Sequence, residues 1–139
     1  MAQIYVVGHK NPDNDSIMAA YTYANLKNMT DADNEYIPVR LGELPAESAM
    51  IFEEYGIDAP ALIEQVSEDD VLVLVDHNEM GQAVDGIEDA EVAEIIDHHR
   101  IADVSTSAPI TFINLPWGST TSIITKLYEY FCIAPDKQI

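Results

Sequence analysis

The sequence predicts an α/β domain built on a parallel sheet with helices on both faces. Short apolar runs alternate along the chain with segments in which apolar residues recur at helical spacing. Strands that alternate with helices are typical of parallel sheets with right-handed crossovers. The length of 139 residues matches one domain of roughly 100–150 residues.

The first half of the chain contains two strand–helix pairs. The apolar run "QIYVVG" is a buried-strand candidate, and the segment after it has apolar residues at helical spacing behind aspartates that can cap a helix. Gly56 is a plausible stop for the second helix. The predicted elements are strands at 3–8 and 36–41, and helices at 16–29 and 45–56.

The second half continues the alternation. A short apolar stretch at 59–66 leads to "VLVLVDHNE", whose five consecutive apolar residues indicate a central strand. The acidic run "EDAEVAE" at 88–94 reads as a solvated helix face. The predicted elements are strands at 71–75, 94–97 and 110–114, a brief acidic helix near 88–93, and a helix at 119–131.

Composition and charge exclude several classes of protein. The chain carries 25 Asp and Glu against 6 Lys and Arg, a formal charge of −19, and such a surface repels nucleic-acid phosphates. No apolar stretch approaches the ~18 residues of a membrane span, and the N-terminus does not read as a signal peptide. The single cysteine, Cys132, excludes an intrachain disulfide. We therefore expect a cytoplasmic protein that binds neither nucleic acid nor membrane.

Every histidine of the chain follows a predicted strand and has an aspartate nearby. The carboxyl ends of parallel strands share one edge of a sheet, so these side chains are expected to converge on one crevice. Mixed imidazole and carboxylate ligands suit Mn, Co, Zn or Fe better than Ca. The histidines are His9, His77, His98 and His99, and the aspartates are Asp13, Asp15, Asp76 and Asp97.

Simpler interpretations apply to each residue taken alone. An aspartate before a helix, such as Asp15, is commonly an N-cap, and a histidine after a strand is commonly a polar loop residue. The joint pattern has no packing rationale, because it places all four histidines beside aspartates at strand ends. It therefore predicts a metal centre at the carboxyl ends of the strands.

Three motifs in a fixed order give the chain a family resemblance. "GHKNPDNDS", "VDHNE" and "DHHR" resemble the signatures of the DHH phosphoesterase superfamily, and the "DHN" form of the middle motif resembles family II inorganic pyrophosphatases. The likeness runs from residue 4 to about residue 131 and includes "GSTTS" at 118–122. The first and third motif wordings are also similar to the subgroup that carries nucleotide-binding CBS domains.

The resemblance implies a metal-dependent hydrolase and assigns roles. It implies two Mn²⁺ or Co²⁺ ions, Mg²⁺ added with the substrate, and hydrolysis of pyrophosphate to two phosphates by a metal-bridged water. Asp76 and His99 are the implied catalytic residues, His99 as the contact to phosphate, and Asp97 would orient a ligand histidine. The implied ligands are His9 and Asp13 for one metal and Asp15 and His98 for the other, with Asp76 bridging both.

Four other residues of the motifs are not assigned to the metals. We expect His77 to be structural or to support the ligands, and Asn78 to serve the hydrogen-bond network of the site or a turn. Lys10 and Arg100 flank the motifs, where they either favour an anionic substrate or are solvated.

The resemblance also sets expectations for domain organisation. Family members carry a further ligand aspartate after the last helix, then a second domain whose basic residues hold pyrophosphate, and they form homodimers. We therefore expect residues 1–139 to be the DHH metal-binding catalytic domain, incomplete at its C-terminus, with a depleted second metal position. Hydrolysis should be weak or absent without the substrate-binding domain. A CBS insert would fall between about Val66 and Val71, where "VSEDDV" makes a direct join.

Two other functions remain open at the level of sequence. A DHH phosphodiesterase acting on short oligonucleotides or cyclic dinucleotides would use the same metal chemistry, although the negative charge mildly disfavours it. An inactive metal-binding or dimerising fragment is the other alternative.

Overall fold

A computed structural model describes residues 2–131, which form one six-stranded parallel sheet and three α-helices. The strands lie side by side in the order β3-β2-β1-β4-β5-β6. The strands are β1 (Ala2–Val7), β2 (Asn34–Arg40), β3 (Ala61–Leu62), β4 (Val71–Val75), β5 (Glu91–Asp97) and β6 (Thr111–Asn114). The helices are α1 (Asn14–Thr30), α2 (Ala46–Tyr55) and α3 (Thr120–Tyr130).

The strand order creates a switch point in the middle of the sheet. From β1 the chain moves outward to β2 and β3, then returns to the other side of β1 and moves outward again through β4, β5 and β6. The registers place Val7 beside Leu74 and Val75 beside Ile96, so β1, β4 and β5 end at a similar level. A crevice at such a switch point is the usual ligand site of an open parallel sheet.

Local sequence signals start and stop the helices. Asp13 is the N-cap of α1, and its side chain accepts a hydrogen bond from the Ser16 N–H at 2.8 Å. Ser119 caps α3 by accepting from the Ser122 N–H at 3.2 Å. Gly56 ends α2 in the left-handed conformation, with φ of 65°, which glycine adopts without strain. These three signals agree with the predicted helix limits to within about two residues.

The two faces of the sheet are covered differently. One core cluster joins α1 and α3 to the sheet and includes Ala20, Ile96 and Ile124. The other cluster is closed by non-helical segments that contribute residues such as Val66 and Val84. Among the described residues, the helical element on this second face is a 3₁₀ turn, Met80–Gln82, and Met80 packs against the cluster. The predicted α/β parallel sheet is confirmed.

The predicted acidic helix near 88–93 is wrong. Residues 86–90 form turns, with the Asp89 N–H donating to Gly86 O, and β5 already begins at Glu91. Pairing of Leu72 with Val92 places this backbone in the hydrogen-bonded ladder between β4 and β5. An isolated helix of six residues, by contrast, nucleates poorly. Glu94, which we expected on a solvated face, is buried.

The central strand covers Val71–Val75, the five apolar residues that predicted it. The apolar stretch at 59–66 contributes only the two-residue β3. Cys132 lies outside the described residues. In the part of the chain that is described, no helix combines the length and the apolar character that crossing a membrane requires.

Candidate metal centre

Four chain segments meet at the carboxyl edge of the sheet. They are the loop after β1, the start of α1, and the residues that directly follow β4 and β5. Parallel topology alone brings these segments together, as the sequence predicted. The side chains assembled there are His9, Asp13, Asp15, Asp76, His98 and His99.

Asp76 lies at the centre of the cluster and is only 1% exposed. Its Oδ2 is 3.3 Å from His9 Nε2, and its Oδ1 is 3.0 Å from His98 Nε2. Its φ of 63° is left-handed, a conformation that aspartate tolerates better than most residues. Each oxygen of this one carboxylate therefore faces a different histidine.

Both of these histidines present Nε2 to the centre. The Nδ1 of His9 lies 2.7 Å from the Lys10 carbonyl, and the Nδ1 of His98 lies 3.0 Å from the Trp117 carbonyl. Because a carbonyl only accepts, Nδ1 carries the proton in each ring, and Nε2 is left as the nitrogen that can ligate a cation. The backbone thus fixes the tautomer that a metal site needs.

Asp13 and Asp15 each place a further carboxylate near one of these two histidines. Asp13 Oδ1 lies 3.7 Å from His9 Nε2, and Asp15 Oδ2 lies 3.7 Å from His98 Nε2. Ligand atoms of His9, Asp13 and Asp76 fall within 4.8 Å of one another, as do those of a second group, Asp76, Asp97, His98 and His99. Both groups can hold a metal ion, and Asp76 belongs to both.

Electrostatics in the centre are set by burial and by close partners. The hydrogen bond with Asp76 is the main reason that the pKa of His9 rises to about 9, against the opposing effect of burial. Burial raises the pKa of Asp76, a shift that its bond with His9 opposes and the negative charge of Asp15 reinforces. Removing a proton from His9 and placing positive charge beside Asp76 is what a bound cation would do.

Asp15 differs from Asp76 because the net shift of its pKa is downward. Burial raises the pKa of Asp15, but hydrogen bonds from the N–H groups of Thr121 and Thr120 outweigh it, so the net shift is downward. These N–H groups are 3.0 Å from the Asp15 oxygens. The start of α3 therefore keeps this carboxylate ionised.

His99 is held by Asp97 rather than by the central carboxylate. Its Nδ1 lies 2.7 Å from Asp97 Oδ1 and 4.0 Å from Asp76 Oδ1, and its side chain is half exposed. Asp97 is fully buried and also accepts from Asn78 Nδ2 at 2.7 Å. Because a carboxylate oxygen only accepts, Nδ1 of His99 donates, and its Nε2 points away from Asp97.

Asn78 connects the two loops of the centre. Besides Asp97 it bonds the Arg100 carbonyl at 2.9 Å, and its Oδ1 accepts from the Ala102 N–H at 2.8 Å. These bonds tie the segment after β4 to the segment that carries His98 and His99. The geometry agrees with the network role expected for Asn78.

His77 is buried and belongs to neither ligand group, although its ring lies edge-on to that of His9. Its Nδ1 lies 2.9 Å from the Val75 carbonyl, and its Nε2 has no hydrogen-bond partner among the described residues. Burial lowers the pKa of His77 to about 4, so the ring is neutral near pH 7. This environment is that of a structural histidine.

The two basic residues beside the motifs are already paired. Lys10 Nζ lies 2.7 Å from Asp85, and Arg100 lies 3.2 Å from Glu79. A cavity of about 350 Å³ opens beside His99 and is also lined by Asn78 and Arg100. The cavity can hold an oxyanion, but neither basic residue is unpaired there.

Sequence reasoning assigned no role at the centre to Thr120. This residue is fully buried, and its hydroxyl donates to Asp76 Oδ1 at 3.1 Å. The signal was present in "GSTTS", which entered the prediction only as part of the family resemblance. The N–H donors of Thr120 and Thr121 go to Asp15 instead.

Comparison with known proteins gives the same picture. The family model "DHH family, N-terminal domain" matches residues 3–139. A relative from Methanothrix thermoacetophila, "Manganese-dependent inorganic pyrophosphatase", is 46% identical over 136 residues, which are 98% of this chain and 43% of the relative. The chain therefore spans about two fifths of the length of such relatives.

Solved structures share the fold. The crystal structure of "Methanococcus jannaschii putative family II inorganic pyrophosphatase" matches with a TM-score of 0.82 and 37% identity over 94% of this chain and 40% of that one. An exopolyphosphatase-related protein from Bacteroides fragilis matches with a TM-score of 0.62 and 19% identity over 92% and 39%, which shows the fold alone. From the family match over nearly its whole length, this chain belongs to the DHH family, as an N-terminal domain of that family.

Proposed function

We propose that this chain is the metal-binding lobe of a manganese-dependent inorganic pyrophosphatase. One observation carries the proposal: the buried carboxylate of Asp76 directs Oδ2 at His9 Nε2 and Oδ1 at His98 Nε2. A carboxylate shared in this way suits a pair of cations. The name of the Methanothrix thermoacetophila relative supports manganese as the metal and pyrophosphate as the substrate.

The donor set fits two divalent cations. We assign one cation to His9 Nε2, Asp13 and Asp76 Oδ2, and the other to Asp15 Oδ2, His98 Nε2 and Asp76 Oδ1. The fit rests on the tautomers, since carbonyl groups hold Nδ1 of both histidines and leave Nε2 as the donor. Imidazole with carboxylate suits Mn²⁺, and also Co²⁺, better than Ca²⁺.

The residues around the cations prepare the hydrolysis. When bound, the cations activate water as a nucleophile and offset the negative charge of pyrophosphate, and Mg²⁺ enters with the substrate. Asp76 and His99 are the catalytic residues of the proposal, Asp76 by facing both His9 and His98, and His99 by donating from Nε2 to a phosphoryl oxygen as an imidazolium. Asp97 keeps that nitrogen directed outward by accepting from Nδ1 of His99 at 2.7 Å.

The remaining parts of the proposal concern the larger protein. Because Lys10 and Arg100 are paired with Asp85 and Glu79, the positive groups that hold pyrophosphate are assigned to a second, substrate-binding domain. Residues 1–139 then form the DHH metal-binding domain of a cytoplasmic enzyme. A homodimer is also part of the proposal, supported by the position of β6 at the edge of the sheet.

Titration of the 139-residue chain with Mn²⁺ at pH 8, followed by calorimetry, tests the metal centre. The expected result is binding of at least one Mn²⁺ ion per chain. Asp76→Asn keeps the size and the left-handed backbone of Asp76 but removes a charge and one ligand oxygen, so we expect loss of the shared site and at least about tenfold weaker binding. Glu129→Gln changes an exposed carboxylate on α3 and serves as the control, with unchanged binding.

The reaction is tested by product analysis after a substrate-binding domain is supplied. Release of phosphate from pyrophosphate, dependent on Mn²⁺ and absent in Asp76→Asn, is the expected result. Release of mononucleotides from a dinucleotide, with no phosphate from pyrophosphate, would identify a phosphodiesterase instead. Mn²⁺ binding without either activity would favour a metal-binding fragment.

A further inference from the structure

The start of α3 surrounds one carboxylate of the metal centre with donors. The Thr121 N–H donates to Asp15 Oδ1 at 3.0 Å, and the Thr121 hydroxyl donates to the same oxygen at 2.9 Å. The Thr120 N–H donates to Asp15 Oδ2 at 3.0 Å. These contacts join residues more than 100 positions apart in the sequence.

The hydrogen bonds from α3 occupy most of the acceptor positions of the Asp15 carboxylate. Each carboxylate oxygen has about two acceptor positions. Both positions of Oδ1 are occupied by Thr121, whereas Oδ2 has one position left after the bond from Thr120. That oxygen is also the one that lies 3.7 Å from His98 Nε2. Asp15 can therefore bind a cation through Oδ2 alone.

We propose that Thr121 is a positioning residue that sets metal specificity by keeping Asp15 monodentate. Ca²⁺ takes six to eight oxygen ligands and often binds a carboxylate through both oxygens, so a carboxylate with one available oxygen disfavours it. A smaller ion that accepts imidazole and single carboxylate oxygens, such as Mn²⁺, loses nothing by the restriction. The inference rests on the proposed metal centre and adds the residue that discriminates between cations there.

The hydroxyl of Thr121 is the group to remove. Thr121→Val keeps the shape and the N–H donor of the residue but frees one acceptor position on Asp15 Oδ1. Thr121→Ser keeps the hydroxyl and should behave like the unchanged chain. Thr125→Val is the matched control, since the Thr125 hydroxyl donates to the Thr121 carbonyl at 2.9 Å one turn further along α3 and touches no carboxylate of the centre.

Separate calorimetric titrations of the 139-residue chain with Mn²⁺ and with Ca²⁺ give the ratio of the two affinities. We expect Thr121→Val to shift this ratio about tenfold towards Ca²⁺, the scale on which groups that orient a ligand commonly act. Thr121→Ser and Thr125→Val should leave the ratio unchanged. Circular dichroism of each variant shows that α3 and the sheet remain folded.

The outcomes separate this inference from the proposed function. An unchanged ratio in Thr121→Val, with Mn²⁺ still bound, overturns the role of Thr121 and leaves the metal centre standing. Equal loss of both cations in Thr121→Val and Thr121→Ser also overturns it, because a general weakening is a structural effect. Absence of Mn²⁺ binding by the unchanged chain rejects the metal centre, and this inference with it.

Discussion

The pKa values of the histidines at the centre depend on contacts that the fold creates. His9 would have an ordinary histidine pKa near 6.5 in a solvated loop, but its hydrogen bond with Asp76 raises the pKa to about 9. His77 follows Asp76 directly in the chain, yet burial lowers its pKa to about 4. Neighbouring motifs therefore contain histidines with opposite behaviour, and the difference comes from contacts rather than from residue type.

The pKa of His9 predicts how the metal-free protein responds to pH. Because the folded pKa lies above the unfolded value, the protonated ring stabilises the fold fully below about pH 6.5, and this contribution is lost as the pH rises through about 9. Denaturant unfolding of the metal-free chain from about pH 6 to pH 10 measures it. The His9→Asn chain should lack this decline, and identical profiles for the two chains would contradict the assignment.

The same proton must leave when a cation binds His9. Affinity for Mn²⁺ should fall by about tenfold for each pH unit below about 9 through this residue alone, rather than only below the ordinary value of about 6.5. Calorimetry at about pH 7.5 in buffers of different ionisation enthalpy counts the protons released. We expect about one fewer proton from His9→Asn than from the unchanged chain, and an equal count would argue against His9 as a ligand.

At the scale of elements, the centre depends on how closely α1 approaches β1. A Cβ at Gly8 would lie 1.8 Å from Ser16 Oγ, and the His9 N–H bonds the same hydroxyl at 3.2 Å. Further along α1, the Tyr23 hydroxyl and Lys27 Nζ both contact the buried carboxylate of Glu94 on β5, at 2.5 Å and 3.3 Å. The helix is thus fixed to the sheet at both ends, which places Asp13 and Asp15.

Gly8→Ala is expected to displace the start of α1. The methyl group has no room unless Ser16 moves, so Asp13 and Asp15 should shift and Mn²⁺ binding should weaken by about tenfold or more. Gly81→Ala is the control, because a Cβ there meets nothing within 4 Å. Calorimetric titration of the two variants measures the difference, and equal affinities would show that α1 adjusts without moving its carboxylates.

At the scale of the whole molecule, the chain carries a formal net charge of −19. Part of this charge lies in the cluster around Asp76, where the aspartates repel one another unless positive charge is present. Other carboxylates are exposed and separated from the cluster, such as Glu129, which pairs with Lys126. Cations can therefore stabilise the fold both by general screening and by binding at one place.

Thermal unfolding separates these two effects. Mn²⁺ at 100 times its dissociation constant should stabilise the folded chain by about 2.7 kcal/mol for each independent site, which raises the Tm by roughly 10 °C for a domain of this size. Sodium chloride at the same ionic strength should give a much smaller shift. Equal shifts with the two salts would mean screening of the surface charge rather than a specific site.

The sequence by itself determined the fold class, the edge of the sheet that carries the centre, and the set of side chains gathered there. These follow from local patterns: apolar runs make strands, Asp13 and Ser119 cap helices, and residues after parallel strands share one edge. The brief acidic helix near 88–93 failed because β5 pairing with β4 outweighed a weak local preference.

Only the tertiary structure decided which atoms face one another. The carbonyl group of Trp117 selects Nε2 of His98, and the threonines at the start of α3 select one oxygen of Asp15. Hydrogen bonds and pKa values depend on distances of a few ångströms between segments far apart in the chain. No pattern within a single segment encodes those distances, because they arise only when the sheet and its helices pack together.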